Sequence, residues 1–211
     1  MSQKSKLFTK YLKENNFPYE KTKIFEKYDA FLQNYNQKIN LVSKNSAQNM
    51  WVKHFLDSII PMEFENFKEK KVLDLGSGAG FPSVPIRILE PSVKLILVES
   101  TMKKCVYLNS LLNELNIKNA QVINERFENI SIKDIGEVDL ILVRAVKMRK
   151  KYFKESFSLL KKDGELILYK SGIDEKEIAL LKSIKTKYEM KKINRNIAEI
   201  GNRNYIIIKK L

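Results

Sequence analysis

The sequence predicts an α/β fold: a mostly parallel, seven-stranded sheet with helices on both faces, preceded by a helical extension. Three observations carry this. From Lys70 onward, short apolar runs (VLDL, LILVE, AQVIN, VDLILV, ELILYK) alternate with helical patterns, the signature of parallel strands joined by crossover helices. The first run ends in Asp74 and breaks into glycines at 76, 78 and 80. Ahead of both, apolar residues recur every three or four positions, with no strand pattern among them.

In the extension, Ile24, Phe25, Tyr28, Phe31, Leu32, Tyr35 and Ile39 form one continuous helical face over residues 24–39. The polar stretch INLVSKNSAQN interrupts it, and Asn40 or Ser43 can bond its own backbone or cap the next helix. A second helix runs from about Met50 to Ile60, with Trp51, Val52, Phe55, Leu56 and Ile59 on its apolar side. Both stripes are core. The division therefore falls near residue 65, with 1–65 as a helical extension packed on the core and 66–211 as the α/β domain.

Within 66–211, VLDL is the first strand and a helix begins near Pro82 and Pro85. Val93 to Val98 form a buried strand that ends at Glu99, and Lys103 to Leu115 form a helix. AQVIN and VDLILV are the third and fourth strands, Lys151 to Leu160 a helix, and Asp163-Gly164 a turn before ELILYK. After a helix near Glu175 to Lys185, YEMKKI and NYIIIKK follow with no helix between them. That predicts an antiparallel hairpin at one sheet edge.

Composition narrows the function. The 211 residues include one cysteine, Cys105, and one histidine, His54, which argues against a disulfide framework, a zinc site or a Cys/His nucleophilic pair. The N-terminal MSQKSKLFTKYLKENN lacks the apolar core of a signal peptide, and no run is long enough to span a bilayer. A cytoplasmic protein without a metal is expected, and a monomer, since no surplus apolar stripe remains once the core is assigned. Thirty-nine Lys and Arg against 25 Asp and Glu give a formal charge of +14. A field of that sign attracts polyanions, so RNA or DNA is the natural partner. An AT-rich codon bias, which inflates Lys, Asn and Ile, is the competing explanation.

A strand that runs into three close glycines makes a turn whose backbone can approach a ligand with no side chain in the way, as in a nucleoside-cofactor site. The dinucleotide fingerprint GxGxxG would need its third glycine at Phe81. The GxGxG spacing, with an acid two places before the first glycine, instead resembles motif I of the class I S-adenosylmethionine (SAM) methyltransferases. Glu99, 23 positions after Gly76, ends the second strand, where a carboxylate accepts hydrogen bonds from both ribose hydroxyls. Each such bond contributes about 1.5–3 kcal/mol.

Over nearly its full length the chain resembles the glucose-inhibited division protein B family, bacterial methyltransferases of guanine N7 in small-subunit (16S) ribosomal RNA. The segments that carry the resemblance, in order, are INLVS at 39–43, HFLDS at 54–58, DLGSGAGFPSVP at 74–85, ESTMKKCVYL at 99–108, ERFEN at 125–129, VRAV at 143–146 and YKSG at 169–172. Ser83 and Ser171 stand where the family usually has glycine, and Glu99 where aspartate is commoner. The resemblance implies a class I SAM-dependent methyltransferase (Rossmann-like) fold, S-adenosyl-L-methionine as cofactor, and 16S ribosomal RNA or the small ribosomal subunit as partner.

Carried over by position, Gly76 and Phe81 would border the cofactor, with Ser77, Gly78 and Gly80 shaping the turn. Glu99 would hold the ribose, and Phe127 and Glu128 the adenine. Arg144 would reach the site from the fourth strand to position the guanine or a phosphate, or else pair with Asp139 or Glu128. Lys103, Lys104, Arg126, Lys147 and Lys170 would contact RNA phosphates. His54 and Asp57, at i and i+3 on one helix face, could pair and dock the extension. Guanine N7 has an in-plane lone pair and no proton, so no catalytic acid or base is assigned. A SAM enzyme acting on another substrate and a non-catalytic ribosome-binding factor are the alternatives.

Overall fold

The computed structural model describes residues 2–172, 174–197 and 200–211. Its sheet has seven strands in the order β3-β2-β1-β4-β5-β7-β6: β1 Lys71–Leu75, β2 Lys94–Glu99, β3 Ala120–Asn124, β4 Val138–Arg144, β5 Leu160–Lys170, β6 Tyr188–Ile197 and β7 Gly201–Lys210. The first five run parallel; β7 lies antiparallel to both β5 and β6, so the expected terminal hairpin forms the sheet edge. Reversal of strand order between β1 and β4 opens a crevice above their carboxyl ends, where ligands of open α/β sheets bind.

Alternate residues of each central strand enter different cores. Val72, Leu95, Leu97, Leu140, Leu142 and Ile167 face one side, while Leu73, Ile96, Val98, Ile141, Val143 and Leu166 face the other. Burial on both faces is why these strands read as unbroken apolar runs. On the first side lie the helical extension, α5 (Ser83–Leu89) and α6 (Met102–Glu114); α8 (Lys150–Leu159) and α9 (Glu175–Lys182) cover the second. A short α7 (Ile132–Ile135) precedes β4.

The extension contains α1 (Gln3–Glu14), α2 (Thr22–Asn36), α3 (Lys44–Gln48) and a helical run from Trp51 to Glu63. Helix α1 lies ahead of the apolar periodicity that starts at Ile24, and its core contribution is Ser5, Phe8 and Leu12. Ser43 does cap α3, its hydroxyl accepting from the Ser46 amide at 3.2 Å. The run after Met50 is not one regular helix. It is π-helical over Trp51–Leu56, α-helical over Asp57–Ile59 (α4), and 3-10 over Ile60–Glu63. Ser58 Oγ donates to the His54 carbonyl at 2.6 Å, a side-chain bond that competes with the regular backbone ladder. Extension and sheet share one core: Phe8, Phe25, Tyr28 and Phe55 are buried with Phe81, Tyr107 and Leu111.

Candidate functional site

The glycine turn after β1 occupies the left-handed region at Gly76 (φ 71°), Gly78 (φ 55°) and Gly80 (φ 94°). Its amides are tied to the neighbouring strand, Gly76 N and Ser77 N donating to the Val98 carbonyl at 2.9 and 3.1 Å. Ser77 Oγ donates back to the Asp74 carbonyl at 3.0 Å, so Ser77 shapes the turn from within. Glu99 closes it: Oε2 accepts from Gly78 N at 3.1 Å and Oε1 from Thr101 N at 2.9 Å. From the extension, Tyr28 Oη donates to the Ala79 carbonyl at 2.6 Å. Beneath the turn, Asp74 is fully buried and accepts from Ser83 Oγ. Burial pushes its carboxyl up to about 7, against the opposing pull of the Ser83 hydrogen bonds and of Arg144. The serine in place of the family's glycine thus gives this carboxyl a partner.

Two cavities open above the strand ends. The first, about 370 Å3, is walled by Gly76, Glu99, Phe127, Glu128, Val146 and Tyr152, with Glu125, Arg126 and Arg149 at its margin. Phe127 is buried and meets Tyr152 edge to face, centroids 5.8 Å apart. These residues fit S-adenosylmethionine. The buried Glu99 carboxylate could accept from ribose hydroxyls, Phe127 and Tyr152 offer aromatic surface to a purine, and carboxylates outnumber arginines in the lining, which suits a cationic sulfonium. The cradle itself requires glycine, since a Cβ on Gly76 would stand 2.8 Å from Val146 Cγ2.

Phe81, expected to border the cofactor, does not wall this cavity. Its ring is buried in the aromatic cluster beneath the extension, stacked on His54 at 4.7 Å and on Tyr28 at 5.4 Å, with the Arg144 guanidinium 5.0 Å away. Burial among rings and a cation outweighs presentation to the crevice.

The second cavity, about 620 Å3, shares Val146 with the first and is floored by His54, Arg144 and Arg203, with Lys53, Lys147, Lys170, Asp174 and Glu177 also in its lining. Arg144 pairs with neither Asp139 nor Glu128. Its Nη1 donates to Asp57 Oδ2 at 3.1 Å and its Nη2 meets His54 Nδ1 at 2.6 Å, while Asp139 is occupied by Lys161 at 2.8 Å. His54 and Asp57 therefore share one arginine instead of pairing with each other. Burial, then the charge of Arg144, pushes the imidazole down to about 3, so His54 is neutral. Asp57 is buried, which alone would raise it, but hydrogen bonds from Arg203 and the charge of Arg144 hold it below the ordinary carboxylate range.

Among the other expected RNA contacts, Lys147 is exposed at the second cavity and Arg126 at the first. Lys170 is committed to Glu177 at 2.6 Å, in a largely buried pair, which weakens it as a phosphate contact. Lys103 is exposed and Lys104 half-buried on α6, outside both cavities. Arg203 went unnoticed in the sequence. It lies 146 positions from Asp57, with only strand-like neighbours to mark it.

The family described as GidB, rRNA small subunit methyltransferase G, matches residues 21–206. The chain is 36% identical over 198 residues to the ribosomal RNA small subunit methyltransferase G of Carboxydothermus hydrogenoformans, covering 91% of this chain and 84% of that protein. It is 34% identical to the like-named protein of Aster yellows witches'-broom phytoplasma, covering 82% of each. Among solved structures, a methyltransferase from Pyrococcus furiosus shares the fold with a TM-score of 0.59 at 19% identity, covering 74% of this chain and 82% of that one. Precorrin-6y C5,15-methyltransferase from Geobacter metallireducens does so with a TM-score of 0.55 at 17% identity, covering 82% and 92%. With its glycine turn, its acid at the end of β2 and a match that spans most of its length, the chain belongs to the GidB family of small-subunit ribosomal RNA methyltransferases.

Proposed function

We propose that the first cavity holds S-adenosylmethionine and the second receives the target nucleotide, with Val146 at the boundary between them. The chain is a SAM-dependent methyltransferase of guanine N7 in 16S ribosomal RNA. One observation carries the division of labour: the walls have opposite electrostatic character. Glu99, Glu125 and Glu128 outnumber Arg126 and Arg149 on one side. On the other, Lys53, Arg144, Lys147, Lys170 and Arg203 outnumber Asp174 and Glu177. A cationic cofactor and a polyanionic substrate are sorted accordingly.

When bound, S-adenosylmethionine supplies an electrophilic methyl group. Glu99, already fixed by two backbone amides, keeps lone pairs free for the ribose hydroxyls. Phe127 and Tyr152 offer apolar faces to the adenine, and Glu128 is the adjacent acceptor. Across Val146, Arg144 orients the nucleotide. Because guanine N7 presents a lone pair and no proton, orientation is the main demand, and it can lower the barrier by about 7–11 kcal/mol. His54, held neutral and accepting from Arg144, is part of the orienting frame and not a base. Residues 1–65 act as an extension that completes the substrate side, supplying Ser46, Lys53 and His54 to its cavity. Among the described residues the exposed large apolar side chains are few, with only Met102 and Val106 one helical turn apart, which favours a monomer, and a cytoplasmic location is part of the same proposal.

Titration calorimetry with SAM on the Glu99→Ala protein tests the assignment. Loss of charged hydrogen bonds to two ribose hydroxyls is expected to weaken binding at least ~100-fold. Unchanged affinity would remove Glu99 from the site. Mapping N7-methylguanine in 16S RNA made with and without the gene tests the product.

A further inference from the structure

One buried carboxylate in this molecule holds two guanidiniums. Asp57 has no exposed surface, and its two oxygens accept four hydrogen bonds: Arg203 Nε at 2.8 Å and Tyr205 Oη at 3.0 Å on Oδ1, Arg144 Nη1 at 3.1 Å and Arg203 Nη2 on Oδ2. A carboxylate has about four acceptor sites, so Asp57 is saturated. Arg144 is fixed further by His54 Nδ1 and by the face of Phe81. Three distant parts of the chain, the helical run at 57, the end of β4 and the start of β7, are thereby locked to one another.

One carboxylate neutralises one cation, so two guanidiniums on Asp57 leave a formal charge of +1. Both arginines lie on the floor of the second cavity, and each has N–H groups left over. The uncompensated positive charge faces the space assigned to substrate. A guanidinium on the Hoogsteen edge of guanine would compete for the N7 lone pair that must stay free. An oxyanion has no such conflict, and the planar fork suits phosphate. We propose that Arg203, together with Arg144, binds a backbone phosphate of the target nucleotide, and that Asp57 is the positioning residue that aims both. This rests on the assignment of the second cavity to RNA.

The test uses the full-length protein in four forms: unaltered, Arg203→Gln, Arg203→Lys and Asp57→Asn. Measured are melting temperature, SAM affinity by calorimetry, the salt dependence of 16S RNA binding, and KM and kcat for methyl transfer. Arg203→Gln should bind SAM within twofold of the unaltered protein, raise KM for RNA, and reduce the magnitude of the log–log salt slope by about 0.7, one phosphate on single-stranded RNA. Arg203→Lys should recover the slope. Asp57→Asn, if folded, should lower kcat/KM about 100-fold through misplaced arginines while SAM binding persists. An unchanged slope and KM in folded Arg203→Gln would overturn the proposal, as would parallel loss of SAM and RNA binding with a collapsed melting transition. Failure of the unaltered protein to methylate 16S RNA would instead overturn the reading of the cavity.

Discussion

His54 shows how much one contact can decide. A guanidinium only donates, so the Arg144 Nη2 to His54 Nδ1 contact of 2.6 Å makes Nδ1 an acceptor and places the ring proton on Nε2. As the sole imidazole in the chain, it can be followed without assignment. Long-range nitrogen NMR is expected to show the Nε2–H tautomer, unprotonated from pH 8 down to about 4; a titration near 6.5 would contradict the burial and the Arg144 contact. Stability has the corresponding sign. The folded pKa, about 3, lies below the unfolded 6.5, so the folded state binds fewer protons. Its contribution is complete above pH 6.5 and is lost as pH falls from there toward 3. At this scale the sequence was legible wherever chemistry was local. Glycines 76, 78 and 80 and Glu99 sit where spacing put them, whereas the burial of Phe81 beneath the extension and the partners of Arg144 depend on contacts between segments up to 90 positions apart.

The turn after β1 sets the tolerance of the whole element. A Cβ on Gly80 would lie 2.6 Å from Tyr28 Oη and 3.0 Å from Val84 Cγ2, on a backbone at φ 94°. At Gly78, the nearest atom to an added Cβ is the Gly76 carbonyl oxygen, at 3.7 Å. Gly80→Ala is therefore expected to cost about 2–4 kcal/mol, combining strain with the displaced Tyr28 to Ala79 bond, and Gly78→Ala about 1–2 kcal/mol from the left-handed backbone alone. Denaturant unfolding of the two variants checks the ordering, and equal costs would refute it. Elements buried on both sides were readable as apolar runs. Helix α1 was hidden because it buries only three residues, and the π-helical turn because its apolar pattern over residues 50–60 is also that of a regular helix. Helix α9 stops at Lys182, three residues before the expected Lys185, where Ser183 bonds the Leu180 carbonyl.

Across the whole molecule, extension and sheet behave as one body of packing. Phe25, Tyr28 and Phe55 lie against Phe81, Tyr107 and Leu111, and Asp57 joins the extension to β4 and β7. Deleting residues 1–65 would expose that apolar face and leave Arg144 and Arg203 without their carboxylate. The remaining 66–211 is expected to lack a cooperative thermal transition by circular dichroism. A sharp transition near that of the full chain would show the sheet to be self-sufficient. Such interdependence was only partly foreseeable. Helical periodicity announced the extension and net charge pointed to RNA, but neither could tell that a buried carboxylate on the extension organises the floor of the second cavity.

The opposed polarity of the two chambers bears on turnover as well as loading. With the chambers assigned as proposed, methyl transfer would carry a positive charge past Val146, from sulfur to the purine ring. The glutamates lining the first chamber would then face a neutral product and the arginines of the second a cationic base. Each chamber would suit its contents less well than before, so the asymmetry proposed to sort the reactants would also favour release of both products.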